Sequence, residues 1–382
     1  MDVVVIGGGI VGLSSAYYLA QAGMNVTLCE KGSIGMESTA RSAGGIRMQF
    51  STDINARLSL ASREVWDNFT EEFGVDIAYR KSGYLFLART EETATQFREN
   101  VAMQNSLGIE SKYLSPSEAV DYCPGLCSNH FVGATYNARD GYADPNLAVQ
   151  GYATKARELG VNIQTKTAVR DVLTDESGVT GVETDAGKLN ADYVVNAAGA
   201  WSANLATMAG VDLPIYPRRR QIAIVDPTQP IPEDHPLTID LDTGSYFRPE
   251  RDGAAIVGGH FDDEDANVAP DAYSDSMAIE WAATAVEHAA NYTAYFDGDS
   301  RIRRGWAGLY AVTPDHHPII EETIPGFVTA AGFSGHGFQH APATGKLVAE
   351  LCVDGKSSLV DIDPLSSRRF ERDSEFVEQN VA

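Results

Sequence analysis

A β-branched run, Val3-Val4-Val5-Ile6, leads straight into Gly7-Gly8-Gly9-Ile10-Val11-Gly12, and apolar residues at helical spacing follow over 11–22. Gly23 stops that helix, and Asn25-Val26-Thr27-Leu28-Cys29-Glu30 reads as a second strand ending in an acid. A strand without polar alternation belongs in a parallel sheet buried on both faces. G-x-G-x-x-G alone is a weak pattern, but between a strand and a helix each glycine has a task. Gly7 permits the tight turn, Gly9 lets the backbone approach a pyrophosphate, and Gly12 lets helix and strand pack closely. The helix start offers free N–H groups and partial positive charge to phosphates. Glu30 can accept both hydroxyls of a ribose and disfavours a 2′-phosphate. The spacing predicts a dinucleotide site of the kind that serves NAD and FAD alike.

Two later passages repeat this α/β character. A helix over 146–159 precedes a strand at Val161-Asn162-Ile163, and a hairpin spans 169–184. Tyr193-Val194-Val195-Asn196-Ala197-Ala198-Gly199 reads as a buried strand ending in small residues; Gly326-Phe327-Val328-Thr329-Ala330-Ala331-Gly332 is another, ahead of a helix over 342–352. Between these passages lie alternating stretches such as Gly83-Tyr84-Leu85-Phe86-Leu87 and Gln221-Ile222-Ala223-Ile224-Val225, which read as antiparallel strands with a few helices. A length of 382 residues leaves room for two domains. The expected fold class is α/β, with a Rossmann-like dinucleotide-binding domain of the glutathione-reductase type over 1–78, 137–216 and 300–370. It is interleaved with an α+β substrate domain on an antiparallel sheet over 79–136 and 217–299. Residues 371–382 are charged and expected to form a surface tail.

The chain carries 29 Lys and Arg against 53 Asp and Glu, a formal charge of −24. That field opposes nucleic acid and anionic membranes as partners. Arg218-Arg219-Arg220 also lacks the interleaved aromatics of a nucleic-acid strip. Self-repulsion of this size is tolerated best where salt screens it, at a Debye length of ~3 Å in 1 M salt, which predicts a salt-adapted (halophilic) protein. No apolar run approaches the ~20 residues of a membrane helix, and a strand starting at Asp2 leaves no room for a leader, so a cytoplasmic protein is expected. Cys29, Cys123, Cys127 and Cys352 are too few for a disulfide scaffold. Cys123 and Cys127 have no second Cys/His pair at zinc spacing, and the adjacent His316 and His317 sit in a turn and point apart. No metal site is expected.

Five further motifs decide between the dinucleotides. They are Ser38-Thr39-Ala40-Arg41-Ser42-Ala43-Gly44-Gly45-Ile46-Arg47, Asp140-Gly141-Tyr142-Ala143-Asp144-Pro145, Asn196-Ala197-Ala198-Gly199-Ala200-Trp201, Gly305-Trp306-Ala307-Gly308-Leu309-Tyr310 with Thr313-Pro314-Asp315, and Gly332-Phe333-Ser334-Gly335-His336-Gly337-Phe338. In this order, from Met1 to about Phe370, the chain resembles the D-amino acid oxidase-like FAD oxidoreductases. The resemblance is strongest to the branch of sarcosine oxidases and β subunits of dye-linked proline dehydrogenases. It implies FAD, with contacts from Gly7, Gly9, Ile10, Val11, Gly12, Glu30, Lys31, Ser38, Thr39, Arg41, Ser42, Ala43, Gly44 and Val169. It adds Ala198, Gly199, Trp201, Gly308, Gly335, His336, Gly337, Phe338 and Gln339. In monomeric sarcosine oxidases a cysteine two residues before the tyrosine of the 306–310 stretch carries the flavin; here that position is Gly308, so non-covalent FAD is expected. The last helix, aimed at the pyrimidine edge of the isoalloxazine, would favour negative charge there.

The resemblance also supplies a substrate side. Arg47 aligns with the carboxylate-binding arginine of sarcosine oxidases, and a guanidinium gives a carboxylate two-point geometry. Tyr310 stands where D-amino acid and glycine oxidases place their arginine, which favours secondary or N-methylated amino acids. Tyr246 and His336 align with active-site residues of the sarcosine branch, and Arg248 is a candidate second anion site. Two lysines of that branch correspond to Gln339 and, by a looser alignment, Ile256. A cation near the flavin promotes reaction with oxygen, so its loss favours a dehydrogenase passing electrons to a carrier or partner subunit over an oxidase, with carrier, quinone and oxygen all open as acceptors. The expected reaction is hydride transfer from the carbon beside nitrogen of a sarcosine-, dimethylglycine- or proline-like substrate to flavin N5, giving an imine. The alternatives are a D-amino acid or 2-hydroxy acid dehydrogenase of the same superfamily, and a flavin-bearing subunit of a hetero-oligomeric dehydrogenase. A homo-oligomer or a partner subunit is compatible with each.

Overall fold

The computed structural model describes residues 1–261, 266–371 and 376–381. The opening strand Asp2–Ile6 sits near the centre of a six-stranded sheet. Asn25–Glu30 and then Asn162–Thr165 lie on one side of it; Tyr193–Asn196, Phe327–Ala331 and Ile319–Ile324 lie on the other. All pairings are parallel except Ile319–Ile324 with Phe327–Ala331. Val3, Val4 and Val5 are buried, because helices or a small sheet cover both faces as an unbroken apolar run requires. Helix Ile10–Gln21 packs against the last long helix, Gly337–Asp354. A Cβ at Gly345 would come 2.3 Å from Ser14 Oγ, so this crossing needs a glycine. The sequence suggested that the last helix begins at Pro342; it begins at Gly337 and carries Pro342 inside. The hairpin over 169–184 is present as Val169–Asp175 and Gly178–Thr184, with an unforeseen third strand, Gly187–Asn190.

A second sheet has eight strands in the order Arg301–Val312, Tyr216–Asp226, Ala255–Gly259, Ser245–Pro249, Leu237–Asp240, Tyr84–Ala88, Gly133–Asn137 and Lys112–Leu114. Period two sorts its faces. Leu85, Leu87, Phe247 and Val257 pack under helix Ile279–Tyr292, while Tyr84, Phe86, Tyr246 and Ile256 form a separate cluster on the other face. The expected antiparallel sheet has one parallel join, Leu237–Asp240 with Tyr84–Ala88, where two distant segments meet.

Two expectations are corrected. Strand Arg301–Val312 was placed with the dinucleotide-binding segments, but it pairs along its whole length with Tyr216–Asp226 in the eight-stranded sheet. Residues 371–382 were expected to form a surface tail, yet Glu378 and Asn380 are buried at 0% and 3% exposure. The Glu378 carboxylate caps the start of helix Asp53–Asp67, accepting from Ser51 N and Oγ (2.8 and 2.7 Å) and Thr52 N and Oγ1 (3.2 and 2.7 Å). Asn55 Nδ2 adds a bond at 3.1 Å. A charge read as solvated is instead the anion that satisfies a helix N-terminus. Among the described residues, no helix is long and apolar enough to cross a membrane.

Candidate cofactor and substrate site

The glycine turn is determined by contact. Gly7 has φ +108°, and a Cβ on it would lie 2.4 Å from the Ala197 carbonyl oxygen. A Cβ on Gly12 would lie 1.9 Å from the Gly7 carbonyl oxygen. Gly9 is the N-cap of Ile10–Gln21, and no side chain caps that helix from it or acidifies its first turn. Glu30 braces the turn, its Oε2 accepting from Gly8 N at 2.8 Å and its Oε1 from Gly32 N at 2.6 Å. Each carboxylate oxygen retains a further acceptor site for a ribose hydroxyl.

A cavity of about 530 Å³ runs along this turn. That is the range in which cofactors are held. Of the residues expected around the cofactor, Gly7, Gly9, Ile10, Val11, Glu30, Lys31, Ser38, Thr39 and Ser42 line it. So do Val169, Ala198, Gly199, Trp201, Gly335, Gly337 and Phe338, together with Tyr310 from the substrate side. The cavity thus joins the turn and Glu30 at one end to Tyr310 and the start of the last helix at the other. The fit to an extended dinucleotide is good, because Gly7 in its wall admits no side chain and the N-terminus of helix Ile10–Gln21 faces it, with Ile10 N donating to Thr39 Oγ1 at 3.2 Å. Gly12, Arg41, Ala43, Gly44, Gly308, His336 and Gln339 do not line it. Gly12 packs on Gly7; Arg41 donates to the Ala307 carbonyl at 2.9 Å, and a Cβ on Gly308 would lie 2.9 Å from Arg41 Cβ. Sequence reasoning missed Asp271, whose Oδ1 accepts from Lys31 Nζ and Trp201 Nε1, each at 2.8 Å, with Lys31 Nζ 3.5 Å above the Trp201 ring. It lies 240 residues from Lys31 and carries no local motif.

At the far end the side chains taken from the resemblance come together. A Cβ on Gly335 would lie 2.4 Å from the Tyr310 ring, and one on Gly258 would lie 2.2 Å from Tyr246 Cζ, so each tyrosine packs against a glycine that leaves it room. Burial pushes both phenols up, and for Tyr246 the neighbouring Tyr310 and Tyr84 push the same way. They remain protonated at neutral pH. His336 sits at the N-cap of the last helix, with Nε2 3.1 Å from Arg47 Nη2. Burial first, and then the Arg47 charge, hold it well below the ordinary histidine range, so it is neutral and Nε2 accepts. Gln339 Oε1 accepts from Arg47 N at 2.7 Å. Asp140, fully buried, accepts from Met48 N at 2.8 Å and from Gln49 Nε2 at 3.0 Å; burial raises its pKa to about 7.

Arg47 itself differs from its expected form as an open fork. It is 6% exposed and does not line the cavity. Its Nη1 donates to the Gln49 carbonyl, and its Nη2 to the Asn380 carbonyl and His336. Its guanidinium lies 4.1 Å from the Phe50 ring centroid. Arg248 is buried and bonded to the Pro249 carbonyl and to Glu250. His316 and His317 hold the 376–381 segment: His316 Nδ1 lies 3.1 Å from the Glu378 carbonyl oxygen, and His317 stacks on Phe376 at 4.1 Å. Among the described residues no cluster of side chains has a metal-binding arrangement.

The family model "FAD dependent oxidoreductase" matches residues 2–351. FAD-dependent oxidoreductase domain-containing protein 1 of Xenopus laevis is 31% identical, covering 100% of this chain and 84% of its own length. Sarcosine oxidase subunit beta of an Arthrobacter species is 29% identical, over 97% of this chain and 91% of its own. Among solved structures, L-proline dehydrogenase from P. horikoshii superposes with a TM-score of 0.87 at 36% identity, over 97% of this chain and 98% of that one.

Proposed function

Since the chain belongs to the FAD-dependent oxidoreductase family, and relatives in it are named for sarcosine and L-proline, we propose that it oxidises the C–N bond of a small secondary or N-methylated amino acid. Sarcosine, dimethylglycine and proline define the class. The observation that carries this reading is Tyr310, seated on Gly335 at the end of the cavity where D-amino acid and glycine oxidases would present an arginine. Two of the relatives above are named for secondary amino acids, which supports the same choice.

FAD, bound non-covalently, supplies a two-electron acceptor for the hydride on the carbon beside nitrogen. The remaining work is binding and orientation. Gly7, Gly9 and the start of helix Ile10–Gln21 hold the pyrophosphate, and Glu30 the ribose. Arg47 is the seat for the substrate carboxylate, braced by Gln339 and His336. Tyr246 and Tyr310, held protonated by burial, shape the pocket and offer hydroxyls to the substrate. His336, held well below its ordinary range by burial and by the Arg47 charge, does not take a proton from the substrate at neutral pH, so the substrate enters as the free amine. Solvent takes the ammonium proton before binding, loss of hydride from the carbon beside nitrogen leaves an iminium ion, and water hydrolyses that ion after release. Ile256, buried in the apolar cluster with Tyr246, is itself uncharged where the resembling branch carries a lysine, which favours a carrier or quinone over oxygen.

A second reading, a flavin-bearing subunit of a hetero-oligomer, is favoured by the likeness to a protein named as a subunit. Anaerobic titration of the yellow protein with sarcosine, dimethylglycine and L-proline against D-alanine and lactate tests the substrate class. Bleaching by the first three alone is expected, followed by slow recovery on admitting air. Bleaching by D-alanine or lactate alone overturns the proposal, and recovery at oxidase rates overturns the choice of acceptor.

A further inference from the structure

The segment 376–381 ends on the one guanidinium that the proposed function assigns to the substrate. Its Asn380 carbonyl accepts from Arg47 Nη2, and the second N–H of Nη2 meets His336 Nε2 at 3.1 Å. A carboxylate bound at two points uses Nη2 in either geometry, end-on with Nη1 or side-on with Nε. With both N–H groups of Nη2 engaged, neither geometry is open. Among the described residues, the three acceptors meeting this guanidinium are neutral: two main-chain carbonyls and an imidazole. Glu378 and Asp140 act on Arg47 through space, but neither is hydrogen-bonded to its guanidinium, so exchanging one neutral acceptor for an anion in direct contact is favourable.

The segment is not draped loosely over the site. Glu378 is its latch, its carboxylate accepting five bonds from Ser51, Thr52 and Asn55 and a sixth from Asn380 N at 3.1 Å. Glu378 N donates to the Asp315 carbonyl at 3.0 Å, and Asn380 Nδ2 donates to the Gln49 carbonyl at 3.2 Å. The anchor is therefore on the helix that begins at Asp53, two residues from the segment's contact with Arg47. One part can let go while the other holds.

We infer that residues 376–381 are an internal competitor for the substrate-carboxylate seat: the Asn380 carbonyl occupies Arg47 until a carboxylate displaces it, and Glu378 sets how strongly it competes. This rests on the reading of Arg47 as that seat. Only the fraction of molecules with the carbonyl released binds a carboxylate, so the apparent affinity falls by that fraction.

Acetate, a carboxylate with no oxidisable C–N bond, is the probe, titrated into the FAD-loaded enzyme and followed by the flavin absorbance spectrum. Glu378→Gln and a chain ending at Glu375 are expected to bind it about ten-fold more tightly or better. Hydrogen exchange supplies a readout on the unaltered chain, with peptides covering 376–381 expected to exchange faster when acetate saturates. Unchanged or weaker acetate binding in Glu378→Gln, or protection of 376–381 that is indifferent to bound acetate, overturns the inference. Arg47→Met separates the two claims. If it binds acetate as well as the parent does, the seat itself is misassigned; if it loses acetate while Glu378→Gln gains nothing, only the competitor is wrong.

Discussion

Replacing the glycines of the opening turn one at a time separates what the fold needs from what the cofactor needs. At Gly12 a Cβ would stand 1.9 Å from the Gly7 carbonyl oxygen, a main-chain atom that cannot swing aside. Helix Ile10–Gln21 must then move about 1 Å off the strand, at the cost of an overpacked core, on the order of 1–3 kcal/mol. Gly12→Ala should lower the melting temperature of the apoprotein. Gly9 is different. Its φ is −74°, suitable for any residue, and among the described residues, outside its chain neighbours, the only atom within 4 Å of a Cβ is Thr39 Oγ1 at 3.4 Å. Gly9→Ala should leave apoprotein stability within about 0.5 kcal/mol of the parent. Its methyl, however, stands at the cavity wall where, on the proposed reading, backbone N–H groups meet the pyrophosphate. Losing one charge-assisted hydrogen bond there costs about 1.5–3 kcal/mol, or roughly ten- to a hundred-fold in Kd. Titration of FAD into each apoprotein, read by quenching of flavin fluorescence, measures this directly. If Gly9→Ala binds FAD like the parent while melting normally, the pyrophosphate does not lie on this turn, and the assignment of the cavity fails with it.

Two further outcomes follow from the charges. His235 and His317 are held down to about 4 and His340 to about 3, each mainly by burial, and His336 lies well below its ordinary value. From pH 6.5 down to about 4 the unfolded chain binds protons at these rings and the native state does not, so stability falls with pH by about 1.4 kcal/mol per unit for each ring. Asp140 works in the opposite sense, because its folded pKa of about 7 exceeds the ordinary 3.8 and its contribution grows as pH falls through that window, cancelling one ring. Urea unfolding at pH 7, 6 and 5 should show a steep loss toward acid, and a flat or rising profile would refute it. Separately, a formal charge of −24 predicts that the melting temperature rises between dilute buffer and 1–2 M KCl as repulsion is screened. A maximum in dilute buffer would remove the argument for salt adaptation.

What could be read from the sequence was local. The strand, the glycine turn, the first helix and Glu30 lie within 30 residues, and each constrains its neighbour through sterics that leave a trace in residue type. Gly7 and Gly12 are glycine because a carbonyl stands where a Cβ would be, and that is visible as a pattern. Tyr310 and His336 were reachable only through resemblance, since nothing local distinguishes them from core residues. Lys31 with Asp271, strand Arg301–Val312 with Tyr216–Asp226, and Glu378 with Ser51 are pairings across 75 to 327 residues. No periodicity records them. The charged composition of the last segment argued for solvent, because composition cannot register that an uncapped helix start with three polar side chains waits for an anion. Arg47 joins the two kinds of information. Its place after the 38–46 loop follows from a motif, but whether its fork is open or filled is decided by a carbonyl 333 residues away. The identity of a binding residue and its availability are separate facts, and the second can be altered at Glu378 without touching the first.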